Sequence, residues 1–103
     1  ADDASVVADY RKLADAGDIV GSEAYLNTQG YRLIGQKRYP AAKQVLALTA
    51  ALYPNSANAW DSLGEACLLN GDPEAARMHY RKALSLDPNL ASAKAALEKL
   101  ENR

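Results

Sequence analysis

Apolar residues along this chain recur at steps of three and four, the spacing of helices that each bury one face. Between residues 57 and 70, Trp60, Leu63, Gly64, Cys67 and Leu68 fall on one such face, and between 73 and 86 Ala76, Tyr80, Ala83 and Leu84 form another. Polar and breaking residues bracket both stretches. Asn55-Ser56 precede the first and offer a side-chain cap, and Asn70-Gly71 close it, glycine accepting the left-handed conformation past a helix C-terminus. Asp72 is expected to cap the second helix with Pro73 at its first position. Asp87-Pro88 end it, because the residue before a proline is pushed out of the α region.

The same pattern occurs earlier with weaker punctuation. Leu26, Gly30 and Leu33 mark a helix from about Ser22, with Glu23 in its first turn, and a second helix covers about Tyr39 to Leu52 before Pro54. Lys37 stands where Gly71 closes the later turn, which predicts a slightly different turn there. Sliding the chain along itself by 34 residues superposes Gly30 on Gly64, Ala41-Ala42 on Ala75-Ala76, Leu52 on Leu86 and Pro54-Asn55 on Pro88-Asn89. These are the small residues and breakers on which close helix packing depends, so the chain reads as two copies of a helix hairpin, at 23–56 and 57–90.

Two further helices flank the copies. One is expected over about 4–16, with Val6, Val7, Tyr10, Leu13 and Ala14 in a stripe and Gly17 as its stop. The other spans about 91–101, with Ala93, Leu97 and Leu100 turned inward. Lys94, Glu98, Lys99 and Glu101 face outward there, Lys94 placed to pair with Glu98 four residues on. A polar outer face is what the last helix of a stack needs in order to meet water. The predicted fold is therefore all-α, a single domain of antiparallel helix hairpins with a leading and a capping helix. Composition agrees: alanine and leucine dominate and phenylalanine is absent, a helix-forming rather than a strand-forming choice.

Charge and chemistry narrow the function by exclusion. Twelve Lys and Arg balance thirteen Asp and Glu, which leaves no basic excess to grip nucleic acid. No apolar run approaches the eighteen or so residues of a membrane span, and the charged start and apolar stretch of a signal peptide are missing, which leaves the compartment open. The chain begins at Ala1 rather than methionine, from which a processed or trimmed piece of a larger protein is expected. Cys67, the sole cysteine, lies on a packing face where a small hydrophobe fits, and His79, the sole histidine, sits between Met78 and Tyr80 in a packing position. No serine lies in a G-x-S-x-G elbow, and Gly30, Gly35 and Gly64 fall inside helices rather than in a phosphate-cradling loop. Asp2, Asp3, Asp9, Asp15 and Asp18 read as caps and a solvated face. No catalytic, cofactor-binding or metal-ligating residues are predicted, and no enzyme.

Residues 57–90 resemble the tetratricopeptide-repeat consensus at Trp60, Leu63-Gly64, Cys67, Gly71, Ala76, Tyr80, Ala83-Leu84 and Pro88. Residues 23–56 match it at Gly30, Leu33, Tyr39, Ala42, Leu46 and Pro54, but lack the tryptophan and the turn glycine. The resemblance implies a scaffold that holds a peptide or protein segment in a concave groove lined by the first helix of each unit. The lining positions would be Ala24, Asn27, Tyr31 and Ile34, then Asn58, Asp61, Glu65 and Leu68, then Ser92, Ala95 and Lys99. Asn27 would bond a peptide backbone, and Tyr31 would supply an amphipathic contact. The basic clamp by which some repeat domains hold a chaperone's C-terminal carboxylate is absent, its places being taken by Asn27, Tyr31, Ser62, Ser92 and Ala96. Asp61 and Glu65 favour a neutral or basic segment instead. The wording of Tyr25–Tyr39 and Leu52–Ala66 is also similar to short repeat tails of bacterial serine hydrolases, β-lactamase-like and esterase-like. That likeness implies the alternative role of an accessory domain, docked onto an upstream catalytic domain or self-associating as a weak homodimer. An exposed apolar patch at Val6, Val7 and Leu13 would favour it.

Overall fold

The computed structural model describes Lys12 and residues 19–102, and among them all regular structure is helical. Five helices follow one another: α1 Ile19–Gly35, α2 Tyr39–Leu52, α3 Ala57–Leu69, α4 Pro73–Leu86 and α5 Ala91–Glu101. Each packs on its neighbour in the chain, and α1 also touches α3. The result is the expected solenoid, two hairpins (α1–α2 and α3–α4) stacked side by side with α5 against the second. The leading helix predicted over 4–16 lies, but for Lys12, outside the described residues.

The repeat is as visible in space as in sequence. A Cβ added at Gly30 would fall inside the Leu46 side chain, and one added at Gly64 would stand 2.9 Å from Tyr80 Cε1. Leu46 and Tyr80 are themselves 34 residues apart, so each hairpin closes by pressing a large side chain onto the glycine of its first helix. The core follows from this: Leu26, Leu33, Ala42 and Leu46 in the first hairpin and Ala59, Leu63, Ala66, Cys67, Ala76, Tyr80 and Ala83 in the second are buried. Alanines let the helix axes approach, and the leucines and Tyr80 fill the space that remains. Ala93 and Leu100 of α5 are buried in turn, so α5 covers the open side of α4.

Four local expectations are corrected. First, α1 begins at Ile19 rather than near Ser22, with no acidic residue in its first turn. Secondly, the turn after α1 is not a different one. Lys37 adopts φ 59°, the left-handed conformation, as Gly71 does at φ 82°. The bonds Lys37 N–H to Ile34 (2.9 Å) and Arg38 N–H to Leu33 (2.9 Å) reproduce Gly71 N–H to Leu68 (3.1 Å) and Asp72 N–H to Cys67 (2.9 Å). Both turns are Schellman motifs, whose two backbone bonds hold a left-handed residue even without glycine. Thirdly, Asp72 occupies the N-cap position of α4 but makes no capping bond. Its Oδ2 instead accepts from Lys43 Nζ on α2 (3.0 Å) and from the Asn70 amide (3.1 Å), tying the hairpins together. Ser56 does cap α3, accepting from the Ala59 N–H at 3.2 Å. Fourthly, at the far end the charged pair is Arg81 with Glu101 rather than Lys94 with Glu98, and Arg77 Nη2 donates to the Leu100 carbonyl (3.0 Å).

Candidate functional site

The first helices of successive units, α1, α3 and α5, are joined by polar side chains along one face. Ser56 Oγ donates to Glu23 Oε2 (2.6 Å), Ser62 Oγ to Asn27 Oδ1 (2.7 Å), Tyr31 Oη to Glu65 Oε2 (2.6 Å), and Ser92 Oγ to Asp61 Oδ2 (2.8 Å). Three of these bonds span α1 and α3 and one spans α3 and α5. Four of the seven groove residues predicted from the sequence, Asn27, Tyr31, Asp61 and Glu65, take part. Each thus already has one polar atom engaged, which the sequence alone did not reveal.

Two of the depressions on this face lie between neighbouring helices. One, of about 300 Å³, lies between the N-terminal halves of α1 and α3 and is lined by Glu23, Ala24, Asn27, Thr28 and Asn58. The other, of about 380 Å³, lies between α3 and α5, where Asp61, Glu65 and Leu68 meet Ser92, Ala95 and Lys99. Tyr31, 36% exposed, stands at neither but bonds the Glu65 carboxylate that borders the second. Ile34 lines neither and packs on the core. Leu69, Tyr80 and Leu100 also line the larger pocket. Sequence reasoning assigned Tyr80 and Leu100 to packing alone and passed over Leu69. The spacing of Leu69 one residue beyond Leu68 gave no sign that both would border one cavity.

Burial shapes the electrostatics here. Asp61 is only 8% exposed, and its Oδ1 has no hydrogen-bond partner. Burial raises its carboxyl above the usual range, the Ser92 hydroxyl opposes that, and the charge of Glu65 adds to it. Burial, then the Glu65 carboxylate it donates to, pushes the Tyr31 phenol up to about 12. Tyr80 is raised too, again chiefly by burial. Away from this face, His79 stacks on Trp60 with centroids 5.6 Å apart, and burial holds its imidazole below its ordinary value. Trp60 Nε1 donates to the Pro54 carbonyl (2.9 Å). Cys67 is buried and free, its thiol raised by the loss of water. Among the described residues no group of three His, Cys, Asp or Glu stands where a metal ion could be held, and no helix is long and apolar enough to cross a membrane.

Stacked hairpins with 34-residue correspondence and a glycine under a large side chain in each are the geometry of one known repeat. Residues 57–90 match the tetratricopeptide repeat. The matched segment runs from the start of α3 through α4 to the end of the following turn, so the comparison frames the second hairpin as one repeat unit. A search of the curated proteins finds no match. Tetratricopeptide repeats mediate protein–protein interaction and are a non-enzymatic repeat. A scaffold role is therefore the coarse functional assignment.

Proposed function

We propose that this chain is a non-catalytic interaction scaffold that takes an extended segment of a partner protein along the face formed by α1, α3 and α5. The larger pocket between α3 and α5 carries the reading. It places Asp61, Glu65 and Leu68 beside Leu69 and Tyr80 in a cavity of about 380 Å³, a concave apolar site with a few convergent polar groups. Asn58 and Asn27 line the second depression on the same face, and Tyr31 stands between the two. An extended peptide needs such a run of side-chain wells separated by polar groups able to meet its backbone. Val6, Val7 and Leu13, on which docking to a neighbouring catalytic domain would rest, lie outside the described residues, so the structural support falls to the groove.

The test is a selection of displayed random peptides on the full chain, followed by titration of those recovered. Peptides that bind the wild type should lose at least tenfold in affinity on a Tyr31→Ala, Asn58→Ala double variant that keeps its helical circular dichroism. Peptides bound equally by both proteins would place the binding surface elsewhere and overturn the proposal.

A further inference from the structure

The internal repeat shows why one oxygen of this face has no partner. Position 61 stands 34 residues after Asn27, and position 96 stands 34 after Ser62. Between α1 and α3 the Ser62 hydroxyl donates to Asn27 Oδ1 at 2.7 Å. One unit on, the same two places hold Asp61 and Ala96, and alanine has no hydrogen to give. Ser92 satisfies Asp61 Oδ2 at 2.8 Å, while Oδ1 is left unpartnered in a side chain that is 8% exposed. An orphaned buried carboxylate oxygen costs stability, and nothing in the hairpin packing requires it. Both Asp61 and Ala96 line the larger pocket.

Glu65 lies one helical turn beyond Asp61, so the two carboxylates are neighbours on one face of α3. Tyr31 engages Glu65 Oε2 only. The pocket wall is apolar at Leu68 and Leu69, and Lys99, also lining it, sets one ammonium against two carboxylates. We infer that this pocket is a subsite for an arginine side chain of the bound segment. The guanidinium donates to Asp61 and Glu65 together, and its methylene stem lies on Leu68 and Leu69. The torsion that swings a carboxylate about its own axis is broad, so Asp61 can turn Oδ1 to the pocket without moving the helix, giving up its Ser92 bond for the guanidinium. Arginine fits better than lysine, because its planar fork of donors serves two carboxylates at once and sheds its water more readily than an ammonium.

This inference rests on the groove reading of the previous section but fails separately from it. The probes are the peptides recovered by display on the full chain, resynthesised with each basic residue replaced in turn. Their common arginine, changed to alanine, should lower affinity about thirtyfold, and changed to lysine about fivefold or more. Asp61→Asn and Glu65→Gln should each weaken the parent peptide about tenfold and leave its alanine version unaffected. Ala96→Ser restores the hydroxyl that the first unit has. It should raise the denaturation midpoint and at the same time weaken the parent peptide several-fold, an opposition that simple damage to the fold cannot produce. Peptides that bind without a basic residue, or that Asp61→Asn and Ala96→Ser bind as the wild type does, overturn the subsite and leave the scaffold standing. If no peptide binds, the groove reading falls and the subsite falls with it.

Discussion

Lys37 and Gly71 do the same backbone work with different residues, and the difference is measurable. Left-handed backbone costs an L-residue with a Cβ about 1–2 kcal/mol relative to glycine, an advantage partly offset by the freedom glycine loses on folding. Lys37→Gly is therefore expected to stabilise the fold by about 0.5–1 kcal/mol, read as a higher urea midpoint with unchanged slope. Asp61 supplies a second test at this scale. Its folded-state carboxyl is raised, so the folded chain holds a proton that the unfolded chain has released. Stability attached to this group thus rises as pH falls through the raised value toward about 3.9 and is lowest at neutral pH. Asp61→Asn should leave the midpoint at pH 7 unchanged or higher and should remove that contribution to the acid side of the curve. Asp72 has the opposite sign: Lys43 holds it below the ordinary range, so what it contributes is present at neutral pH and lost on acidification. The two must be separated by comparing Asp61→Asn with Asp72→Asn across the same pH range.

Between elements, the closest approach is set by the two glycines under Leu46 and Tyr80. Leu46 is fully buried and the Tyr80 ring is 3% exposed, so neither can move aside from an added methyl without disturbing the second helix of its hairpin. Gly64→Ala is accordingly expected to cost about 1–3 kcal/mol, the usual range for overpacking a filled core. An alanine at Gly71 meets no atom within 4 Å, so its penalty should be that of backbone conformation alone. Thermal melts of the two variants check the contrast. At this scale much was legible beforehand. Ser56, Pro73 and Pro88 act through bonds and clashes within a few residues, and so their effects appear in the sequence itself. Of the features misjudged, the Asp72 cap has a non-local cause and the turn a local one. The Asp72 carboxylate is drawn off by Lys43, 29 residues away, whereas the α1–α2 turn is held left-handed by its own two backbone bonds, which need no glycine.

In the stack as a whole, each hairpin relies on the next to cover it, and α5 ends the described series. Leu100 is 2% exposed against α4, and Arg77 reaches across to its carbonyl. Leu100→Ala should cost about 2–5 kcal/mol and lower the melting temperature by roughly 4–8 °C per kcal/mol, read by differential scanning calorimetry. The all-helical hairpin architecture and its 34-residue period could be read from spacing alone, and the tetratricopeptide stretch from its resemblance to the consensus. Helix periodicity, small contact residues and breakers are written at short range, and a repeat writes them twice. The chemistry of the face could not be read so. Asn27, Tyr31, Asp61 and Glu65 were expected on it from the family resemblance, yet which of their atoms are already bonded depends on the partner that the neighbouring helix presents. Ser62 meets Asn27 while Ala96 leaves Asp61 unanswered, and only helices packed side by side turn that one missing hydroxyl into a pocket with a buried, unpartnered carboxylate oxygen.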